Sequence, residues 1–195
     1  VIAGRVITDD IDIELTGPLA FTLERHYSST WSARDGVLGP GWSHSLDQAV
    51  WAENRQLVYR AEDGREICFE LPPGVDPLGP LRRFDAHNRL TLIGDGRGHF
   101  TIKDSAGRSH EFPAVAGDPA PERGHTRLRS IHTAAGRRIT CEYDERARLV
   151  GVVDSGGREL RFNYEETRLV RLLASHPDHQ GFVRHVDYRY SPEGD

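Results

Sequence analysis

The ten histidines of the chain suggest a metal site as the first hypothesis about its chemistry. His176 and His179, with Asp178 between them and His185 nearby, offer imidazole and carboxylate ligands of the kind that zinc binds. The spacing is loose, however, and Pro177 places the group in a loop. Other histidines stand singly among polar turns, at His87, His99, His110 and His125. We therefore predict structural or solvated histidines, with no metal and no other cofactor.

Ser43 and His44 could be imagined as a nucleophile beside its base. A nucleophile elbow has the order Gly-x-Ser-x-Gly, whereas here both glycines, Gly39 and Gly41, precede the serine. We predict a glycine-bent corner at this point of the chain, with no catalytic role.

Two further patterns suggest chemistry only superficially. The glycine-rich stretch 94–98 lacks the Lys-Ser/Thr pair of a phosphate-binding loop and lacks a following helix, so it is interpreted as a hairpin turn. Clustered carboxylates such as Glu142 and Asp144, or Glu165 and Glu166, are common on a solvated strand edge, where they discourage pairing with other strands. The sequence therefore predicts a protein that is not an enzyme.

The charge and composition exclude several classes of partner. The net charge is −5, and 25 basic residues are mixed with 30 carboxylates rather than gathered into a basic face, which argues against nucleic-acid binding. No apolar run approaches the roughly 18 residues of a membrane-spanning helix. Cys68 and Cys141 lie far apart without metal-ligand spacing; buried free thiols are favoured and a disulfide stays open.

Strict alternation of apolar and polar residues recurs along the chain. A period of two is typical of strands with one buried face, because successive side chains point to opposite sides of a sheet. The clearest buried faces are Ile67, Phe69 and Leu71; Phe100 and Ile102; Ile139, Cys141 and Tyr143; and Leu160, Phe162 and Tyr164. We expect about a dozen strands and almost no helix.

Turn-forming pairs separate these runs. Gly and its neighbours supply positive φ without steric cost, so each pair predicts a hairpin turn. The turns are expected at 63–64, 94–96, 106–107, 135–136 and 155–157, and the proline-bearing stretch 116–124 is expected to be a loop.

The chain carries an internal repeat. Gly-Arg pairs recur at residues 64, 107, 136 and 157, and Tyr143 and Tyr164 are also 21 residues apart, which indicates a unit of about two short strands and two turns. In a second register, Phe84-Asp85 with Arg89-Leu90 matches Tyr143-Asp144 with Arg148-Leu149, and the copies continue to Asp95 and Asp154. We expect the ring to end a strand on its buried face, the Asp to accept turn N–H groups, and Leu to restart that face.

These units, from Tyr143-Asp144 to Asp154 and Gly157, resemble the YD repeat of Rhs proteins. The first third resembles the segment with which bacterial Rhs cores begin. That second resemblance rests on three motifs: Gly17-Pro18-Leu19; Arg25-His26-Tyr27-Ser28-Ser29; and Gly39-Pro40-Gly41-Trp42-Ser43-His44.

The resemblance implies a long β strip that winds into a hollow shell around a toxic C-terminal domain of the same polypeptide. The chain would be an early, non-catalytic piece of that wall, in a bacterial protein made in the cytoplasm and exported as a secreted effector, with type VI secretion as the suggested route. Its partners would be the rest of the shell, the enclosed toxin and secretion proteins. The family's self-cleavage motif is expected elsewhere, because 76–79 matches it only superficially.

The fold class predicted is therefore all-β: an open, curved or spiralling antiparallel array of hairpins, cut from a larger chain. Residues 1–60 are predicted to form an N-terminal block capped by a cluster of Trp31, Trp42 and Trp51, and residues 61–195 to form hairpin repeats continuous with it. Open edges of the isolated fragment are expected to promote self-association. The alternative is a cell-surface adhesion or carbohydrate-binding module, with Trp31 in a groove.

Overall fold

A computed structural model describes residues 5–114, 124–176 and 181–191. These residues form nineteen β-strands and one turn of 3₁₀ helix at Ser29–Trp31, and every strand pair is antiparallel. The prediction of an all-β fold built from hairpins is confirmed.

The first eight strands form three separate pieces of sheet. They are β1 (Ile7–Leu15), β2 (Phe21–Ser28), β3 (Asp35–Gly36), β4 (Gly39–Pro40), β5 (Trp42–His44), β6 (Ala49–Glu53), β7 (Gln56–Arg60) and β8 (Glu66–Glu70). A three-stranded sheet has the order β1-β2-β5, and β3 and β4 form a two-stranded hairpin. Strands β6, β7 and β8 form a meander of their own.

The remaining strands continue as one long meander. They are β9 (Pro80–Asp85), β10 (Leu90–Asp95), β11 (Phe100–Lys103), β12 (Arg108–Phe112), β13 (Thr126–Arg127), β14 (Ser130–Thr133), β15 (Arg138–Tyr143), β16 (Leu149–Val153), β17 (Glu159–Glu165), β18 (Arg168–Ser175) and β19 (Phe182–Asp187). All but β13 form a ten-stranded open sheet in which each strand pairs with its neighbours in the chain, from β9 at one edge to β19 at the other.

The small strand β13 joins two of the sheets. Thr126 pairs with Val50, so this strand adds to the edge of the β6-β7-β8 sheet immediately before the chain re-enters the long sheet. The backbone N–H of Leu128 then donates to the carbonyl of Gln48. The N-terminal sheets and the long meander are thus connected by backbone hydrogen bonds.

One hydrophobic core is shared by these sheets. Its members come from the N-terminal strands, for example Leu23 and Leu57, and from the long meander, for example Phe112 and Leu160, all almost completely buried. Burying a side chain of this size contributes about 1.5–3 kcal/mol. Neither the N-terminal strands nor the long meander covers its own apolar face. We therefore expect the two sets of strands to be stable only together.

The predicted hairpin turns are confirmed. The five turns lie between the paired strands β7 and β8, β10 and β11, β11 and β12, β14 and β15, and β16 and β17. Glycine has positive φ in all five, including Gly64, Gly107, Gly136 and Gly157. The expected loop at 116–124 lies outside the described residues, except for Gly124.

The predicted equivalence of Phe84 and Tyr143 is wrong. Phe84 points to the outer face of β9 and is 66% exposed, whereas Tyr143 packs against the core. The turns that follow also differ, because the residue with positive φ is Arg89 in the first and Ala147 in the second. The Asp85 carboxylate accepts from the backbone N–H of Asn88, three residues on.

The tryptophans do not share a single cluster. Trp51 packs with Ala49 and Val58 in a small group apart from the main core, while Trp42 lies against the ring of Tyr27 at 5.3 Å. The reason is topological, because Trp42 and Trp51 belong to different sheets. The boundary placed at residue 60 falls between the paired strands β7 and β8.

Both cysteines are free thiols in strands. Cys141 is buried, as predicted, but Cys68 is exposed because it lies on the outer face of β8. No helix in the described ranges has the length and apolar character needed to cross a membrane.

Candidate functional site

A five-residue turn recurs through the structure and positions most of the repeat residues. In each copy the first residue donates its N–H to the carbonyl of the fifth, and the fourth donates to the carbonyl of the first, at 2.9–3.2 Å. The copies are 61–65, 104–108, 133–137, 144–148 and 154–158. Four have glycine at the fourth position and the other has Ala147, and all five of these residues have positive φ.

Three of these turns begin with an aspartate that fixes their shape. The carboxylate of Asp104, Asp144 or Asp154 accepts the N–H groups of the third and fifth residues at 2.8–3.0 Å, and its second oxygen accepts from Nε of the arginine at the fifth position. Burial raises the pKa of Asp154, but the bonds from Arg158 and the backbone outweigh it and hold that pKa below its usual value. Asp144 therefore accepts turn N–H groups as predicted, and Asp154, for which only a following glycine turn was predicted, does the same.

Asp95 also accepts two turn N–H groups. They come from Arg97 and His99, at 2.7 and 3.2 Å. Asp95 and Asp154 are thus equivalent in function, as their place ten residues after Asp85 and Asp144 predicts.

A second repeated contact joins a tyrosine to an Arg-Leu pair earlier in the chain. The hydroxyl of Tyr143 donates to the carbonyl of Leu128, and the hydroxyl of Tyr164 donates to the carbonyl of Leu149, each at 2.8 Å. Tyr190 donates in the same way to Leu169. We call this set the tyrosine ladder.

Each ladder unit has the same surroundings. The leucine is buried in all three units, and the arginine before it lies over the tyrosine ring, with guanidinium-to-centroid distances of 4.7–6.0 Å. These arginines are Arg127, Arg148 and Arg168. Burial raises the pKa of all three tyrosine hydroxyls, that of Tyr190 to about 12, so the hydroxyls stay protonated donors at neutral pH.

The sequence analysis identified Tyr143, Tyr164, Arg148 and Leu149 but missed the other members of the ladder. Arg-Leu recurs at residues 127, 148 and 168, so a spacing of 21 and 20 residues was available as a signal. Tyr190 was hidden because it lies 26 residues after Tyr164.

In the N-terminal block, the ring of Tyr27 packs so closely on Gly41 that it leaves no room for a side chain there. A Cβ on Gly41 would lie 2.8 Å from the Tyr27 ring, and Gly41 has φ of +78°. The Gly41 carbonyl accepts the N–H of Ser28, and Trp42 pairs with Tyr27 across strands β2 and β5. Gly39, at φ +100°, makes the preceding bend. The corner predicted from these glycines is therefore present.

Arg25 connects the N-terminal block to the end of the described chain. Its Nε donates to Asp12 at 2.9 Å, and its guanidinium lies 5.5 Å from the ring centroids of both Trp42 and Tyr188. The Tyr188 hydroxyl donates to the other carboxylate oxygen of Asp12. Arg25, which the sequence indicated only as part of the 25–29 motif, thus connects the N-terminal strands to the segment around Tyr188.

The turn at 154–158 holds the loop between β1 and β2. Ser155 Oγ accepts the N–H of Leu19 and donates to the Leu19 carbonyl, at 3.0 and 3.1 Å. Arg158 donates to the carbonyl of Thr16. A Cβ on Gly17 would approach the Arg158 guanidinium to 3.4 Å, so Gly17 and Pro18 lie in a loop that is clamped against the repeats.

The β3-β4 hairpin docks on the last ladder unit. The N–H of Leu169 donates to the carbonyl of Val37, and Arg168 contacts both the carbonyl of Gly36 and the carboxylate of Asp35. The hairpin therefore lies against Arg168-Leu169, as Gln48 lies against Leu128 in the first unit.

An open cleft with a volume of about 940 Å³ lies between these two docking points. The N-terminal block supplies one wall, with Trp31, Arg34 and Trp51, and the tyrosine ladder supplies the other, with Tyr143 and Tyr164. The middle unit, Arg148-Leu149, lines the same cleft.

Asp47 occupies the cationic part of this cleft. Arg60 donates to its carboxylate at 3.1 Å. Burial raises the pKa of Asp47, but the charges of Arg60, His44, Arg34 and Arg127 outweigh it and leave the pKa below its usual value. Burial also lowers the pKa of His44, the imidazole beside this carboxylate, and three guanidinium groups lie around the same carboxylate.

Ser43 and His44, the candidate nucleophile and base, do not contact each other in that way. Ser43 Oγ donates to Asp47 and His44 Nδ1 accepts from the N–H of Leu46, so they are not a nucleophile and base pair. Of the group around His176, residues 177–180 lie outside the described residues. Among the described residues, Asp9, Glu24 and His26 have ligand atoms within 4.8 Å of one another, a grouping that the sequence analysis missed.

Comparison with known proteins adds two findings. Residues 1–69, which include the N-terminal block, match the family model described as "Domain of unknown function (DUF6531)". The whole chain is similar to the double-stranded DNA deaminase toxin A of Burkholderia cenocepacia strain H111, with 28% identity over 201 residues. The chain covers only 13% of that toxin's length. The chain is therefore similar to one segment of a much longer bacterial toxin protein.

Proposed function

We propose that the chain is a non-catalytic wall segment of an Rhs/YD-repeat shell that encloses a C-terminal toxin domain of the same polypeptide. The observation that carries the proposal is the tyrosine ladder, in which one contact recurs at Arg-Leu pairs 21 and 20 residues apart while the N-terminal block docks along it. Repetition of one contact in successive hairpins is typical of repeat arrays, in which each unit is stabilised by stacking against its neighbours.

The similarity to a segment of a toxin supports this role. The chain corresponds to a small fraction of that toxin. In our proposal the toxic activity belongs to another part of the natural polypeptide, and the segment described here contributes only enclosure. Secretion as an effector and contact with secretion proteins are part of the same proposal.

A carbohydrate-binding module is the less favoured alternative. Sugar-binding tryptophans need an open ring face, whereas here each tryptophan has an arginine over it: Arg34 over Trp31, Arg25 over Trp42 and Arg60 over Trp51. A glycan-array screen tests the alternative directly. Reproducible sugar binding that is lost in Trp31→Ala would favour adhesion over the shell.

Enclosure can be tested by thiol accessibility in the natural polypeptide. In a Cys68→Ser background, single cysteines at Thr167, beside the cleft, and at Asn163, on the exposed face of β17, are treated with a bulky maleimide. We expect both to react in the isolated chain and one of them to be protected in the natural polypeptide. Equal, unprotected reaction of both sites in the two proteins would contradict a closed wall.

Absence of catalysis has its own test. The purified chain is incubated with double-stranded DNA, and deamination is measured by sequencing. We expect no conversion above a protein-free control. Turnover by this chain alone would show that the activity is not confined to another segment.

A further inference from the structure

We infer that the cleft between the N-terminal block and the tyrosine ladder binds a carboxylate-bearing peptide segment, with one acidic side chain anchored at Arg34, Arg60 and Arg127. The inference concerns a ligand of the cleft and does not depend on whether the chain encloses a toxin. It rests on charge, hydrogen-bond donors and shape.

The inner part of the cleft has an excess of positive charge. Arg34 and Arg60 have side chains only 22% and 12% exposed, and Asp47 is the carboxylate that lies among them. The other four acidic residues of the lining are exposed and lie at the solvated rim, where Glu66 contacts Arg34 at 3.8 Å; they are Asp35, Glu53, Glu66 and Glu166. Like charges in a poorly hydrated site repel, which is reflected in the lowered pKa of Arg34, caused by burial and then by Arg60.

The guanidinium groups also have N–H donors that the described residues leave without an acceptor. Nη2 of Arg34, Nε of Arg60 and Nε of Arg127 are buried and have no hydrogen-bond acceptor among the residues that the structure describes. A buried donor without a partner costs about 1–3 kcal/mol, and more when it is charged. A small rotation of these side chains toward an incoming carboxylate would offset the excess positive charge and give the unpaired N–H donors an acceptor.

The shape of the cleft favours a peptide over a small inorganic anion. A volume of about 940 Å³ is far larger than a single carboxylate or phosphate group needs. Ala33 and Val37 line the same space and provide apolar surface for the neighbouring side chains of an extended segment. A charged anchor beside apolar surface is a common way to recognise a short peptide.

The probes are two pentapeptides, acetyl-Ala-Phe-Glu-Phe-Ala-amide and its Gln counterpart, titrated into the chain while tryptophan fluorescence is recorded. Charge-assisted hydrogen bonds contribute about 1.5–3 kcal/mol, so the Glu peptide should bind about tenfold more tightly or better. This preference should disappear in Arg127→Gln and should persist in Arg146→Gln, an exposed arginine of the same cleft that gives the same change in net charge.

Several results would overturn the inference. They are equal affinity for the two peptides, absence of binding to either at millimolar concentration, an equal loss in both variants, or full competition by inorganic phosphate at concentrations close to that of the peptide. Stronger binding of a single-stranded oligonucleotide than of the Glu peptide would reassign the cleft to nucleic acid. If Arg127→Gln lowers the melting temperature, Arg34→Gln is used in its place, with the same expected loss of preference.

Discussion

The hydroxyl of Tyr164 donates a 2.8 Å hydrogen bond to the carbonyl oxygen of Leu149, fifteen residues earlier in the chain. That oxygen belongs to the first residue of β16, and the tyrosine lies near the end of β17, so the bond closes the open end of one hairpin. Tyr143 and Leu128 have the same separation and the same distance. The hydrogen bond from a tyrosine hydroxyl to a leucine carbonyl fifteen residues earlier, more than any single strand, defines the repeat.

Replacing Tyr164 with Phe removes this donor but keeps the ring and its contact with Arg148. The Leu149 carbonyl would lose a partner, and we expect the free energy of unfolding to fall by about 1 kcal/mol. Urea denaturation measures it. Tyr143→Phe should have an effect of similar size, and two unequal losses would contradict the equivalence of the units.

The turn at 154–158 needs a residue with positive φ at Gly157. No atom lies within 4 Å of a Cβ built there, so Gly157→Ala isolates the backbone cost, about 1–2 kcal/mol of lost stability. Asparagine adopts this conformation more readily, and Gly157→Asn should therefore lose less. Thermal unfolding of the two variants checks the order, and an alanine variant as stable as the original would refute the argument.

Ser155 should matter to the docking of the β1-β2 loop. Ser155→Ala removes both hydrogen bonds to Leu19 and should destabilise the chain by about 1–3 kcal/mol. Ser105 occupies the same position in the turn at 104–108 but is exposed, so Ser105→Ala is the matched control with a change near zero. Chemical denaturation compares them, and equal effects would show that the docking contact contributes nothing.

The buried His44 predicts a pH dependence. Burial lowers its pKa in the folded state, so the unfolded chain binds more protons once the pH falls below about 6.5. The stability associated with neutral His44 is therefore present at higher pH and is lost as the pH falls through that range.

His44→Asn should flatten this part of the pH dependence, because its amide oxygen can still accept the N–H of Leu46 and carries no proton to titrate. The measurement is the difference in unfolding free energy between the original and the variant from pH 8 to pH 5. A difference that is constant over this range would show that His44 is not responsible.

The local part of the fold could be predicted from the sequence because it depends on neighbouring residues. Alternation fixed the buried faces of strands such as β15, and Gly-Arg pairs located turns because positive φ is a local requirement. Phe84 was misassigned for the same reason, since similarity to Tyr143-Asp144 says nothing about which face meets the core.

The candidate site could be predicted only in part. Tyr143, Tyr164 and the turn aspartates carry local signals. The contact of Leu169 with Val37, and the gathering of Arg34, Arg60 and Arg127 around Asp47, join segments far apart in the chain. Such contacts depend on how whole sheets pack, which no short pattern encodes.

The direction of the ladder bonds has a consequence for synthesis. Each tyrosine reaches back to a carbonyl made earlier, so every new unit that leaves the ribosome finds its acceptor already in place. The strand pairing is also sequential along the long sheet, which keeps most backbone contacts between neighbours in the chain. The long sheet can therefore be extended strand by strand toward its carboxyl end as the chain is translated, whereas the N-terminal block obtains its docking contacts only when the later units have been made.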